Sequence, residues 1–305
     1  MIMLQQMIIL FIVMMVGLIA NKIDIISGDA TRKFSKLVVN VTNPCFVLSS
    51  VLGDTDAING KDLLTIACIS ITMFTVLIIL AVFIPKLLRV PKESRGVYKA
   101  MMVFNNLGFM GAPIVAGMYG SEAVLFVAMF VLPFNVLVYT YGVLVIKGKS
   151  EDGNKLSILS IINPGVVSSV LAIVIYLTHI QLPTIFSTGI QMIGNITAPL
   201  SMMVIGASFA TMNFKKIFTN VRLLTFCLIK LIIIPVVGIC IVRIFVNNPQ
   251  LLGIFLIMIA TPVGSMVPML ATTYGADSEL SSIGVAVTTI LSVATLPLLF
   301  LMLGI

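Results

Sequence analysis

Charge is what this 305-residue chain has least of: Asp, Glu, Lys and Arg together make up 10% of it, against roughly 25% in soluble domains. That scarcity excludes a cytosolic enzyme and a disordered tail. Cysteine is sparse as well. Cys45, Cys68, Cys227 and Cys240 all fall in apolar runs, with no CxxC spacing and no Cys/His cluster, so a disulfide scaffold is excluded and small buried thiols are expected. The long alternating segments of an outer-membrane barrel are missing. Neither HExxH nor GxSxG occurs, and no pair of carboxylates shares an apolar segment, so no enzyme chemistry, metal or cofactor is expected.

What is present is apolar: 59% of the residues are A, V, I, L, M, F, W, Y or C. A hydrocarbon core needs roughly 20 apolar residues per helical span, so ten spans use about 200 residues and leave about 100 for loops. The chain therefore reads as an all-α integral membrane protein whose first partner is the lipid bilayer. The N-terminal run MIMLQQMIILFIVMMVGLIANK has no basic n-region and no small-residue cleavage site before Asn21, and it reads as the first span rather than a signal peptide.

Hydropathy and turn punctuation place spans near 2–20, 34–52, 62–84, 97–119, 122–146, 158–179, 187–210, 219–245, 250–274 and 279–303. The net charge of +7 must then be read by position, as a sign of orientation rather than of a nucleic-acid partner. With the N-terminus outside, fifteen of the eighteen Lys and Arg fall in cytoplasmic segments, Lys61 and Arg243 fall outside, and Lys230 lies within a span. That bias puts both termini outside the cell membrane. The polar connection KGKSEDGNK divides five spans from five, giving a first repeat over 1–146, a cytoplasmic loop over 147–157 and a second repeat over 158–305.

An offset of 155 residues aligns the halves. It pairs Asn40 with Asn195, Thr42 with Thr197, Pro44 with Pro199, Pro113 with Pro268, and Tyr119-Gly120 with Tyr274-Gly275. Five spans per repeat force the two halves into opposite orientations, an arrangement that organises secondary transporters.

Span four carries Asn105, Asn106, Gly108, Gly111 and Pro113 in one apolar segment, and span nine carries Pro262, Gly264, Ser265 and Pro268. Proline removes a helix hydrogen bond and glycine weakens the helix, so both spans should break near their middles. Broken spans at corresponding positions point to a midplane site where half-helix N-termini face an anion. Asn40 and Asn43 in span two, with Asn195 and Thr197 in span seven, could hydrogen-bond a ligand carboxylate or fasten neighbouring helices. Lys230 lies about 16 Å along span eight at 1.5 Å per residue, and an intramembrane ionisable residue is a site hypothesis by default. Its alternative is an ammonium that reaches the cytoplasmic interface. Glu122 and Asp277 read as helix N-caps or first-turn acids, and His179 as interfacial.

The runs NNLGFMGAPIVAGMYG, NITAPLSMMVIGASF and TPVGSMVPMLATTYGADSELSSIGVAVTTILSVATLPL resemble the auxin efflux carrier family, which includes plant PIN carriers and bacterial permeases associated with malate, malonate and related acids. The resemblance spans essentially the whole chain. It implies ten transmembrane helices as two inverted five-helix repeats, like bile-acid/sodium symporters, with spans four and nine crossing at their prolines. It places Asn105, Asn106, Pro113, Pro262 and Pro268 at the crossing and its ligand contacts. The short central loop matches a bacterial-type permease better than the PIN proteins with long cytosolic loops.

The expected function is a secondary carrier for a small organic anion, malate-like before auxin-like, working by alternating access. A ligand-gated channel or membrane receptor for a small carboxylate is the competing class. A homodimer is left open. Because no Asp or Glu lies within a span, flux is expected not to require sodium; the rival is a sodium site built from Asn106, Ser265 and carbonyls of the broken helices.

Overall fold

In the computed structural model, residues 2–26, 28–52, 59–147, 164–210 and 220–304 are described, and every regular element among them is helical. The chain runs through α1 (Ile2–Lys22), α2 (Gly28–Leu37), α3 (Asn43–Ser49), α4 (Gly60–Leu87), α5 (Arg95–Val103), α6 (Ala112–Tyr119), α7 (Val124–Leu137) and α8 (Val143–Lys147). It continues through α9 (Pro164–Thr178), α10 (Thr184–Asn195), α11 (Thr197–Phe209), α12 (Val221–Leu228), α13 (Ile234–Phe245), α14 (Pro249–Ala260), α15 (Met266–Thr273) and α16 (Ser278–Leu303). The loop expected over 147–157 lies beyond Lys147 outside the described residues, as do the first residues of span six and the basic Lys149, Lys155, Lys215 and Lys216.

Among the described residues six helical stretches are long and apolar enough to cross a membrane: Leu4–Lys22, Gly60–Leu87, Val124–Lys147, Thr184–Phe209, Val221–Phe245 and Ser278–Leu303. Three apolar helices are shorter, at Leu107–Tyr119, Pro164–Thr178 and Pro249–Ala260. Helix starts follow their capping residues. Asp277 accepts the Leu280 N–H at 2.8 Å ahead of α16, Asn248 accepts that of Gln250 at 3.0 Å ahead of α14, and Asn220 accepts that of Leu223 at 3.1 Å ahead of α12; each side chain satisfies an amide that the first turn leaves orphaned. Glu122, expected to cap, does not: α7 begins at Val124, and the Glu122 carboxylate lies against Gly120 and accepts from Ser121 Oγ at 3.3 Å.

Helix interiors depart from regular geometry where proline forces them to. Wide turns occupy Val38–Thr42, Leu107–Gly111 and Ile229–Ile233, and each is followed at its second residue by Pro44, Pro113 or Pro235. A proline has no N–H to give the carbonyl four residues back, and its ring crowds that carbonyl. Widening the preceding turn relieves the clash and re-spaces the bonds. A fourth wide turn, Val138–Gly142, follows Pro133. Segment two differs from its hydropathy: the helix begins at Gly28, ahead of the apolar run, because GDATRKFSKL carries its own support in Asp29 at the first turn and an Asp29–Lys33 pair at 2.9 Å on the exposed face.

The chain forms two compact units, one of Met1–Ala67, Leu107–Leu132 and Ile162–Met212, the other of Cys68–Asn106, Pro133–Ile161 and Asn213–Ile305. In the first unit α1 packs along α11. A Cβ on Gly17 would meet the Met203 backbone, and one on Gly206 would meet the Met14 carbonyl, so the two backbones approach as only glycine permits. The wide turn before α3 packs against α9, α10 and α11, and the wide turn before α6 packs against α11. In the second unit α13 packs on α14, while α16 lies against α5, α12, α14 and α15. Among the largest fully buried side chains of the described residues, Phe74, Phe104, Phe226 and Lys230 lie in this unit.

Candidate functional site: a pair of interrupted helices

In the second unit the chain leaves α5 at Phe104 in an extended conformation (φ −95°, ψ 96°) and leaves α14 at Thr261 likewise (φ −60°, ψ 149°). The two extended segments pair antiparallel. Asn106 N–H donates to the Pro262 carbonyl at 2.8 Å, and Gly264 N–H donates to the Phe104 carbonyl at 2.8 Å, with Asn105 opposite Val263. Gly264 is needed for this approach, since a Cβ there would stand 2.9 Å from the Asn105 carbonyl oxygen.

The interruption in α14 has a local cause. The carbonyl of Met258 would ordinarily receive the N–H of residue 262, and Pro262 has none. Thr261 N–H to Ile257 O at 3.0 Å is the last regular bond, and Val263 N–H turns to Thr288 Oγ1 at 3.1 Å. The freed carbonyls find other donors: Asn105 Nδ2 donates to Met258 O at 2.8 Å and to Ile259 O at 3.2 Å, and Thr261 Oγ1 donates to Met258 O at 3.0 Å. The α5 end is treated in the same way. Because Asn106 N–H is committed to Pro262, the Met102 carbonyl lacks its helical donor and instead accepts from Lys230 Nζ at 3.1 Å.

Lys230 also donates to Asn105 Oδ1 at 2.5 Å. An ammonium only donates, so the Asn105 amide must turn its oxygen to Lys230 and its nitrogen to the carbonyls of α14. Lys230 is 1% exposed and Asn105 1%, and neither partner of the ammonium is a carboxylate. What offsets its desolvation is a charge-assisted bond to an amide and the partial negative charge at the C-terminal ends of two half-helices.

Ser265, which precedes α15, accepts no first-turn N–H through its side chain, and α6 continues the wide turn Leu107–Gly111 as one helix, Leu107–Tyr119. Asn106 is 4% exposed, and its Nδ2 has no hydrogen-bond partner among the described residues. Tyr141, whose ring packs 6.5 Å from that of Phe104, has a buried hydroxyl that is likewise unpartnered.

The expected site residues thus divide by unit. Asn105, Asn106, Pro262, Gly264, Ser265 and Lys230 come together at the paired interruption, with Pro268 in the first turn of α15. Gly108, Gly111 and Pro113 form the wide turn and start of α6 in the first unit, where the Asn43 amide lies against Gly108, 3.5 Å from where a Cβ would stand. Asn43 Oδ1, Thr42 Oγ1 and Thr197 Oγ1 are buried there without partners among the described residues. Asn40 and Asn195 are placed otherwise: both are exposed, and Asn40 Nδ2 donates back to the Lys36 carbonyl at 2.9 Å. Lys230 is buried and tied to Met102 and Asn105. Thr42, Thr261 and Thr288 were not among the expected site residues. Thr42 could have been found from its alignment with Thr197, whereas a hydroxyl in span ten carries no sequence signal of the amide it accepts. No group of three or more His, Cys, Asp or Glu among the described residues could hold a metal.

Long apolar helices, with interruptions whose backbone groups are satisfied inside the protein, define a multi-pass helical membrane protein of the transporter class. The chain belongs to the membrane transport protein family, the auxin efflux carrier family, whose family model matches residues 2–158 and 153–300. It is 23% identical over 291 residues, 94% of each chain, to an uncharacterized transporter of Methanothermobacter thermautotrophicus.

Proposed function

We propose that this transporter is a secondary carrier of a small organic anion, a malate-like carboxylate before an auxin-like one, working by alternating access. In this reading ten spans form two inverted five-helix repeats in the cell membrane with both termini outside. The six long helices account for spans one, three, five, seven, eight and ten. Spans four and nine fall short of a continuous crossing because they break, span six is short in the described residues, and span two begins in the polar α2. Support for the inverted repeat comes from where the breaks fall: the residues that end α5 and α14, Phe104 and Thr261, lie within two residues of the 155 offset, and both lead into the same antiparallel bridge.

The observation that carries the anion is the buried Asn106 Nδ2, which has no hydrogen-bond partner among the described residues. A buried donor without an acceptor costs about 1–3 kcal/mol, and a solute that brings carboxylate oxygens recovers it. The C-terminal half-helix ends, by contrast, are already served by Asn105 and Lys230. Membership of a transporter family favours a carrier over the channel or receptor alternative.

Purified protein in liposomes should give saturable counterflow of at least one small mono- or dicarboxylate, undiminished when sodium is replaced by N-methylglucamine. Asn106→Leu should lower that flux at least tenfold at subsaturating solute while the protein stays folded. Flux of a neutral or cationic solute, with none across a broad panel of acids, would defeat the anion reading.

A further inference from the structure

Two helix C-termini converge in the second unit, those of α5 and α14, and the groups they offer are oxygens. Proline and the antiparallel bridge strip the Met102, Met258 and Ile259 carbonyls of their helical donors. Asn105 Nδ2 covers two of them, which leaves the Met102 carbonyl and the amide oxygen Asn105 Oδ1 directed at one point. Unwound carbonyls and half-helix C-terminal ends are the donor set with which carriers of this architecture hold a small monovalent cation. In this chain the point is filled by Lys230 Nζ, 3.1 Å from Met102 O and 2.5 Å from Asn105 Oδ1, delivered from the wide turn that Pro235 imposes between α12 and α13.

We propose that Lys230 is the resident cation of the paired interruption: its ammonium occupies a monovalent-cation site formed by Met102 O and Asn105 Oδ1, and cutting the side chain back opens that site to a small free cation of the ammonium class. The assignment is independent of which solute is carried. It explains how the interruption holds together without a carboxylate partner for the ammonium: the ammonium fixes the Asn105 amide, the amide fixes the end of α14, and the chain of bonds ties α12–α13 to both interrupted helices. Lys230 is on this account a positioning residue, with its charge spent on the protein rather than on the solute.

The test is thermal unfolding of purified protein, in N-methylglucamine chloride and then in ammonium, methylammonium, sodium or tetramethylammonium chloride at equal ionic strength. The wild-type protein should melt at one temperature in all five. Lys230→Ala should melt lower in N-methylglucamine and recover saturably by at least about 2–4 °C in ammonium or methylammonium, with no recovery in the bulky tetramethylammonium. Lys230→Gln, which refills the space with a neutral donor, should melt below wild type and ignore all the cations. A Lys230→Ala protein as stable as wild type, or one indifferent to every small cation, overturns the assignment, as does a Lys230→Gln protein equal to wild type. If the alanine variant folds only when purified in methylammonium, that supports the site; recovery in neither medium overturns it. Because melting is read rather than flux, a negative result here leaves the carrier reading standing, and failure of transport leaves this assignment standing.

Discussion

At the interruption in the second unit, Asn105, Lys230, Thr261 and Thr288 each meet a partner, and three carbonyls that proline and the bridge deprive of helical donors receive new ones. At the wide turns of the first unit, Thr42, Asn43 and Thr197 keep buried polar atoms with no partner among the described residues, and the close contact is steric instead, glycine against backbone between α1 and α11. One region spends its polar groups on holding itself together. The other brings glycine against backbone and leaves Thr42, Asn43 and Thr197 uncommitted; the second unit too retains Asn106 Nδ2 and the Tyr141 hydroxyl without partners among the described residues, and each such buried polar group is kept at a cost to stability.

The strongest way to break this contrast is to strand the charge. Asn105→Leu leaves the Lys230 ammonium without its amide and the Ile259 carbonyl without a donor, while Met258 O keeps Thr261 Oγ1, and should cost about 3–5 kcal/mol. Lys230→Met removes the charge along with its desolvation and orphans only two oxygens, so it should cost less, about 1–3 kcal/mol. Denaturant unfolding of both variants checks the order. If Lys230→Met proved the more damaging, the ammonium would be contributing more than its bonds to Asn105 and Met102 explain.

In the first unit the corresponding break is steric. Gly206→Ala puts a methyl into the Met14 carbonyl and should cost about 1–3 kcal/mol through forced separation of α1 and α11. A melting temperature unchanged from wild type would mean that the two helices have room to part.

Much of this was readable in advance, and the reason is physical. Apolar runs are dictated by the bilayer, so the expected spans and the observed helices agree closely at most ends, for example 62–84 against Gly60–Leu87 and 279–303 against Ser278–Leu303. The break in span nine was legible because Pro262 lacks an N–H whatever surrounds it; that in span four falls at Phe104–Asn106, ahead of Pro113, where no proline stands and the pairing with Pro262–Gly264 takes the backbone out of the helix. The wide turns before Pro44, Pro113 and Pro235 follow from the same missing donor, although hydropathy is blind to them. What could not be read was who repairs each break. Lys230 and Asn105 stand 125 residues apart, and their bond is decided by tertiary packing. Asn40 shows the converse. Its place in the repeated motif suggested a site, yet at the exposed edge of the wide turn the nearest acceptor is the Lys36 carbonyl one turn back, and the amide takes it.

The smallest expected effect on stability is the one that sharpens the comparison most. Thr197 is fully buried and its hydroxyl has no partner among the described residues, so Thr197→Val exchanges an unsatisfied O–H for a methyl of nearly the same volume. Where a hydroxyl holds neighbouring helices together, its removal costs about 1 kcal/mol; where it is uncommitted, stability should stay within about 0.5 kcal/mol of wild type or rise. Transport should respond differently, with carboxylate counterflow in liposomes weakened several-fold through a raised KM. Thr288→Val makes the matched control in the second unit, because Thr288 accepts the Val263 N–H at 3.1 Å and its loss orphans that amide. It should destabilise by about 1–3 kcal/mol. Equal losses of stability in the two variants would erase the distinction between a committed and an uncommitted hydroxyl, and a Thr197→Val protein with unchanged KM would leave the Thr197 hydroxyl without a part in transport.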